Sequence, residues 1–369
     1  MTDSVWAENR NAESKNAENR NAGNRNIENR ERGGSEKSRG KKRITFAYVQ
    51  KRSKQIFMAL FRYALIICLS YMILYPLLQM ISYALKHPYE IGMMSSVWIP
   101  DTITLDNIKI AAIILHYPKA LMYTFGCTFV VMLLQMFNAA FAGYALARLK
   151  LKGSGLFLGL VVLTIIVPPS SLMLPQYVFF RNFDIFGIFT LLTGSKLNLL
   201  GKPVSMYLLA AMGQGLSAGL FVYIFRQFFR GMPRELEEAA YVDGAGILRI
   251  FFSIVLPTAR PALVTVGILS FVWNWNDTYF PRLFNPTDDY LRIRMSSLSA
   301  VSGGTSNVQL AIGNAVSEIP PGIVRLTTNP YDLLILTVCS LLIILPLILF
   351  FFIVQKQFIE GVERSGIVG

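Results

Sequence analysis

Between two long apolar stretches lies a charged segment punctuated by alanine and glycine, residues 233–261 (PRELEEAAYVDGAGILRIFFSIVLPTARP). Its residue types suit the docking of another protein rather than the making of bonds. Glu238 offers a charge that a partner Arg or Lys can pair with. Ala239 and Ala240 are small, so a partner surface can approach the helix backbone closely. Asp243 follows, and then Gly244, which permits a sharp reversal of the chain. Pro233 and the acidic residues after it mark a helix start, where the missing N–H costs nothing and negative charge faces the positive helix end. Downstream, Trp273, Asn274, Trp275, Asn276 and Asp277 gather rings, amides and a carboxylate beside a membrane segment. Such groups line pathways through membrane bundles. The same residues also suit an interfacial aromatic belt, with Asp277 bonding helix ends.

The elements that hold these residues are apolar. Mean hydropathy is +0.45 and 53% of residues are hydrophobic. Crossing about 30 Å of hydrocarbon takes roughly 20 apolar residues in a helix, which favours a bundle of spans over two soluble domains. Six segments qualify, at about 57–85, 118–147, 154–180, 203–230, 259–284 and 331–356. Pro168-Pro169-Ser170-Ser171 predicts a break in the third. The charged segment falls between the fourth and fifth and predicts a short helix, a bend at Asp243–Gly246 and a second helix.

The net charge of +13 is concentrated before the first span, in Lys37, Arg39, Lys41, Lys42, Arg43, Lys51, Arg52, Lys54 and Arg62. Basic residues at that place are retained on the cytoplasmic side and attract anionic membrane lipid, so no nucleic acid is expected. Arg148, Lys150, Lys152, Arg226, Arg230, Arg234 and Arg249 in the connections on that side agree, placing both termini inside. Residues 7–30 repeat a five-residue Asn-rich unit of mixed charge, and residues 1–55 read as a disordered basic segment that lacks the apolar core of a secretory signal. The membrane domain is residues 56–369. His87 and His116 are too few and scattered for a metal site. Cys68, Cys127 and Cys339 lie in apolar runs as packing residues.

Glu238-Ala239-Ala240, three residues, Gly244, nine residues, Ile254, one residue and Leu256-Pro257 form a pattern. It resembles the EAA signature in permease subunits of bacterial ATP-binding-cassette importers. Phe225-Arg226-Gln227-Phe228-Phe229, the run Ser270 to Asp277, and Gln355-Lys356-Gln357-Phe358-Ile359-Glu360-Gly361 resemble further elements of the carbohydrate-importer branch. Residues about 57–369 resemble its maltose-type second permease. The resemblance implies an all-α, six-transmembrane-helix protein of the MetI-like type I importer fold in the bacterial inner membrane. It also implies ATPase subunits docked on Glu238, Ala239, Ala240, Asp243 and Gly244, a second permease subunit, and an extracytoplasmic solute-binding protein. ATP and Mg would be handled by the partner ATPase, with no cofactor and no catalytic residue on this chain. Consistent with that, Gly34 to Lys42 lacks the glycine spacing and the Ser/Thr of a phosphate-binding loop. Trp273 to Asp277 would then face a sugar, which rings and amides suit.

Two features depart from the family pattern: the N-terminal repeat and the long loop at 285–330, with Gly303-Gly304 and Pro320-Pro321, a place where a solute-binding protein could dock. The alternative is a stand-alone secondary transporter, which would show repeated halves and intramembrane ionisable groups; neither is evident. A membrane-embedded enzyme would need polar constellations that the spans lack. The docking reading predicts that Glu238→Lys or Gly244→Asp lowers uptake by about tenfold or more without loss of membrane insertion. Uptake assays at matched expression check this.

Overall fold

A computed structural model describes residues 54–91, 99–149, 153–287, 289–302, 305–323 and 325–366, with side chains to residue 357. Most of the predicted N-terminal segment and of its basic cluster, and the Gly303-Gly304 stretch, lie outside the described residues. Contacts divide the chain into two units, residues 1–76 and 77–369. The described part of the first unit is the beginning of a helix, α1, Lys54–Leu85, whose side chains up to Tyr75 are nearly all exposed apolar groups. A helix apolar all round is built for a bilayer or a protein neighbour, not for water.

Among the described residues the second unit is built of helices joined by loops, with one small hairpin of two-residue strands, Val301–Ser302 with Thr305–Ser306. After α1 the chain turns at Pro88–Glu90. The Glu90 carboxylate accepts N–H bonds from Asp101 (3.1 Å) and Thr102 (2.8 Å) and the Thr102 hydroxyl. Helix α2, Asp106–Ile114, is pinned by buried Asn107, whose amide donates to the Lys86 carbonyl at 2.6 Å. Next comes α3, Tyr117–Arg148, with Pro118 in its first turn. It is about 48 Å long at 1.5 Å per residue and contributes core residues to three of the apolar clusters among the described residues.

The third span is broken as predicted. Helix α4, Ser154–Ile166, meets the Pro169–Arg181 helical segment, whose last part is α5 (Met173–Arg181), at 98°. Val167 and Pro168 each precede a proline, which excludes them from helical dihedrals, and both are extended. A short α6, Ile188–Thr193, follows.

Two expected spans differ from the structure. The fourth is not one helix but two, α7 (Val204–Ala211) and α8 (Ala218–Gly231). Gly213, Gly215 and Ser217, all at positive φ, unwind the chain between them. Neither piece alone can cross about 30 Å of hydrocarbon. The fifth starts earlier and stops sooner than the apolar run suggested. Residues Ile247–Thr258 and α12, Arg260–Asn276, form a pair bent by 78°, and Tyr279–Phe284 (α13) is a separate helix. With α9 (Glu235–Val242), α10 (Ile247–Ile250) and α11 (Leu256–Thr258) between α8 and α12, the chain continues through α14, Leu291–Leu298, and α15, Asn307–Asn314. It ends in α16, Asn329–Gly366, which carries Pro346. Three single helices and two bent pairs among the described residues are long and apolar enough to span a membrane.

Helices α3 and α8 meet at Gly143. A Cβ built there would lie 2.7 Å from Phe225 Cβ and 2.9 Å from the Arg226 backbone nitrogen. Backbone cannot yield, so Gly143→Val should cost about 1–3 kcal/mol. Gly126, on the same helix with open space around it, should tolerate alanine and gain up to about 1 kcal/mol in helix propensity. Thermal unfolding of the two variants in detergent should therefore move Tm in opposite directions.

Candidate functional site: a docking helix and a polar cleft

Helix α9 is short and has three acidic residues, Glu235, Glu237 and Glu238, in its first turn, matched to the helix dipole. Its C-terminus closes with a Schellman motif. Gly244 N–H donates to Tyr241 O (3.0 Å) and Ala245 N–H to Ala240 O (3.0 Å), with Gly244 at φ +78°. A side chain at Gly244 would meet nothing within 4 Å, so glycine is needed there for its dihedral and not for space.

The helix has two faces. Glu238, Ala239, Asp243 and Gly244 are exposed, together with Leu236 and Val242. Ala240 faces inward, 8% exposed, against Tyr144, Phe229 and Phe251; its small side chain lets α9 settle on that aromatic floor. Glu237 is one helical turn before it and also buried. Its Oε1 lies 3.0 Å from Arg148 Nε, an ion pair whose N–H is not aligned for a hydrogen bond. The Tyr144 hydroxyl donates to the other carboxylate oxygen at 3.3 Å, and Arg148 Nη2 donates to the Met232 carbonyl at 2.6 Å. From sequence, Ala240 is expected on the docking side with Glu238 and Ala239, Arg148 enters only as a basic residue of an inside connection, and Glu237 and Tyr144 have no role. The signal available was the i, i+3 spacing of Glu237 and Ala240 and the i, i+4 spacing of Tyr144 and Arg148.

A second constellation gathers along α3. Gln135, buried, accepts bonds from the Ser270 hydroxyl (2.7 Å) and the Asn274 amide (2.9 Å) on α12. The unwound stretch between α7 and α8 faces it. Asn138 donates to the Ala211 carbonyl at 2.7 Å, and the place of a Cβ on Gly215 lies 2.8 Å from Gln135 Nε2. One carbonyl freed at the break, that of Ala211, is thereby met by an amide, and the Gly213 and Gln214 N–H groups turn back to Ala210 and Leu209 carbonyls, as backbone inside a membrane requires. These groups border a narrow cleft lined by Gln135, Gln214, Asn274, Asp277 and Tyr290. Asp277 also accepts N–H bonds from Tyr279 (2.8 Å) and Phe280 (3.3 Å), starting α13.

Of the five residues singled out at 273–277, the structure thus brings Asn274 and Asp277 to this cleft. Trp275 is buried, its ring on Phe271 and its Nε1 donating to the Ile343 carbonyl at 3.2 Å. Trp273 stacks on Phe221, and Asn276 is exposed and returns to the Val272 carbonyl. Gln135, Asn138 and Gln214 come from segments the sequence reading left as plain apolar spans.

A family model described as "binding-protein-dependent transport system inner membrane component" matches residues 139–364, from the second half of α3 through α16. The chain belongs to this family. It is therefore an inner-membrane component of a binding-protein-dependent transport system, a permease of the ATP-binding-cassette importer class and a transport protein rather than an enzyme. It is 28% identical over 308 residues to the arabinooligosaccharides transport system permease protein AraQ of Halalkalibacterium halodurans, covering 82% of this chain and 93% of that one. It is 34% identical over 186 residues to the probable starch degradation products transport system permease protein AmyC of Thermoanaerobacterium thermosulfurigenes, covering 50% and 61%. Against the trehalose transport system permease protein SugB of Mycobacterium tuberculosis, identity is 26% over 273 residues, covering 73% and 84%. A crystal structure of a bacterial ABC transporter involved in the import of the acidic polysaccharide alginate has the same fold. Its TM-score is 0.60 at 19% identity, covering 83% of this chain and 98% of that one.

The amide network makes the permease's cleft wall sensitive to one residue. Gln135→Leu leaves the Ser270 hydroxyl and the Asn274 amide with one partner fewer in a buried place and should cost about 1–3 kcal/mol. Gln214, exposed, should tolerate alanine without loss. Differential scanning of both variants in detergent checks the contrast.

Proposed function

We propose that this permease forms half of the translocation pathway for a sugar or oligosaccharide and is driven through α9 by a separate ATPase. One observation carries the coupling part of this reading. The exposed face of α9 offers Glu238, Ala239, Asp243 and Gly244 to a partner, while Glu237 and Ala240 bind the opposite face to α3 and its aromatic floor. An exposed acidic and apolar surface mounted on a packed core is what a motor needs to push against. ATP and Mg belong to that motor. The remaining partners in this reading are a second permease subunit, which completes the pathway, and an extracytoplasmic solute-binding protein. The termini and residues 233–261 are on the cytoplasmic side, which the basic residues around Arg148, Arg230, Arg234 and Arg249 support.

The substrate class rests on two supports. The names of the relatives refer to arabinooligosaccharides, starch degradation products and trehalose. The cleft bordered by Gln135, Gln214, Asn274 and Asp277 offers donors and acceptors suited to hydroxyl groups. Asn274 and Asp277 are the pathway residues in this reading, with Trp273 and Asn276 beside them and Trp275 fixing α12 from behind.

Affinity purification of the tagged chain from its own host in mild detergent tests the proposal. A nucleotide-binding subunit and a second permease should co-purify, and Glu238→Lys should reduce the recovered ATPase about tenfold or more. Liposomes holding this complex and its solute-binding protein should take up radiolabelled maltotriose or arabinotriose only with ATP inside. A lone chain that moves solute without ATP would replace this reading with a secondary transporter.

A further inference from the structure

Three elements meet at the Arg148 side chain: the C-terminal end of α3, the connection from α8 to α9, and α9 itself. Arg148 holds the first to the second through the Met232 carbonyl and to the third through Glu237. Both side chains are almost fully enclosed, 6% and 10% exposed. Tyr144, one turn earlier on α3, bonds the same carboxylate and stacks edge-on with Phe229 and against Phe251. If this contact served only adhesion, charges would be a poor choice. Enclosing an ion pair sacrifices hydration, and apolar side chains of equal volume hold helices as well or better. Charges instead define one register. A slide of α9 by a turn would leave Arg148 and Glu237 buried and unpaired, so α9 and the end of α3 move together or not at all.

The routes from α9 to the cleft are unequal. Along the chain towards α12, motion must pass a π-helical turn at Phe251–Val255 and the 78° bend before Arg260. Back along α8, it reaches the unwound stretch at 212–217. Helix α3 has neither obstacle. It is unbroken from Arg148 to Gln135, which lies about 20 Å further along it and carries the bonds to Ser270 and Asn274.

From this we infer that Glu237, Arg148 and Tyr144 form a joint that converts movement of the docking helix into movement of α3, and so of the cleft wall at Gln135. Glu237 is a positioning residue, with its carboxylate turned away from the docked partner; Glu238 meets that partner. The inference rests on the coupling reading above and adds the direction in which force leaves α9.

The test uses the complex captured from the host, placed in lipid nanodiscs. Spin labels are attached at position 137 on α3 and position 212 in the unwound stretch, both exposed. In the labelled but otherwise unchanged complex, ATP with vanadate should shift the distance between the labels. Glu237→Gln keeps the shape of the side chain and an acceptor for Tyr144 but removes the charge. It should abolish the shift while the ATPase co-purifies at the unchanged ratio and its nucleotide hydrolysis continues. Tyr144→Phe should reduce the shift, and Glu237→Asp should restore part of it.

A full shift in Glu237→Gln overturns the joint, as does the absence of any shift in the unchanged complex. Loss of the ATPase or of the folded chain in both Glu237→Gln and Tyr144→Phe also overturns it, making the cluster a docking or folding element. Failure of the unchanged chain to capture an ATPase is a different result, which removes the coupling reading itself.

Discussion

The close approach of α3 and α8 at Gly143 is the contact on which the rest of the permease depends. With Phe225 Cβ standing 2.7 Å from where a side chain on Gly143 would begin, the two backbones are as near as packing allows. Membrane helices lack a strong hydrophobic drive to associate, so close backbone contact supplies the dispersion that holds them. Once α8 is fixed on α3, its C-terminal end delivers Met232 to Arg148, and Glu237 follows two residues into α9. Towards the other end of α3, the Thr124 hydroxyl accepts the Leu291 N–H at 3.0 Å and Lys119 pairs with Asp289 at 2.9 Å. One helix thus holds α9 at one end and the 285–298 region at the other.

The breaks in the helices follow a common rule. Backbone that leaves a helix inside hydrocarbon must find another partner for its N–H and C=O groups. The break after Ile166 is imposed by Pro168 and Pro169. The one after Ala211 is imposed by residues at positive φ, and its polar groups are met by Asn138 and faced by Gln135. A cost in helix continuity becomes a cleft with amide walls, because polar groups brought in to satisfy backbone can also face a solute.

Helix α9 shows how two surfaces share eight residues. Its outer face carries Glu238 and Ala239 with exposed Leu236 and Val242; its inner face carries a small apolar residue and a carboxylate buried against a guanidinium. The i, i+3 relation of Glu237 and Ala240 separates those surfaces on one turn, so the Glu-Glu-Ala-Ala run serves both sides at once. The Schellman closure at Gly244 then ends the helix without using a side chain from either face.

What the linear order of residues determined by itself was local or periodic. The long apolar runs of α1, α3 and α16, the break at Pro168-Pro169, the short helix after Pro233 and its reversal at Gly244 are all properties of neighbours in sequence. The motif spacing at 238–257 likewise pointed to the family, because it is carried by one continuous segment. Tertiary structure alone decided the rest. The fourth apolar run is divided in a way hydropathy averages away, since a glycine among apolar residues barely alters a window but changes φ at one point. Glu237 resembled its neighbour Glu238 until Arg148, far away in sequence, enclosed it. Gln135 and Asn138 were isolated amides in an apolar run until α12 and the 212–217 stretch came to face them. Burial and partnership belong to pairs of residues brought together in space, and that is why only the folded chain could assign them.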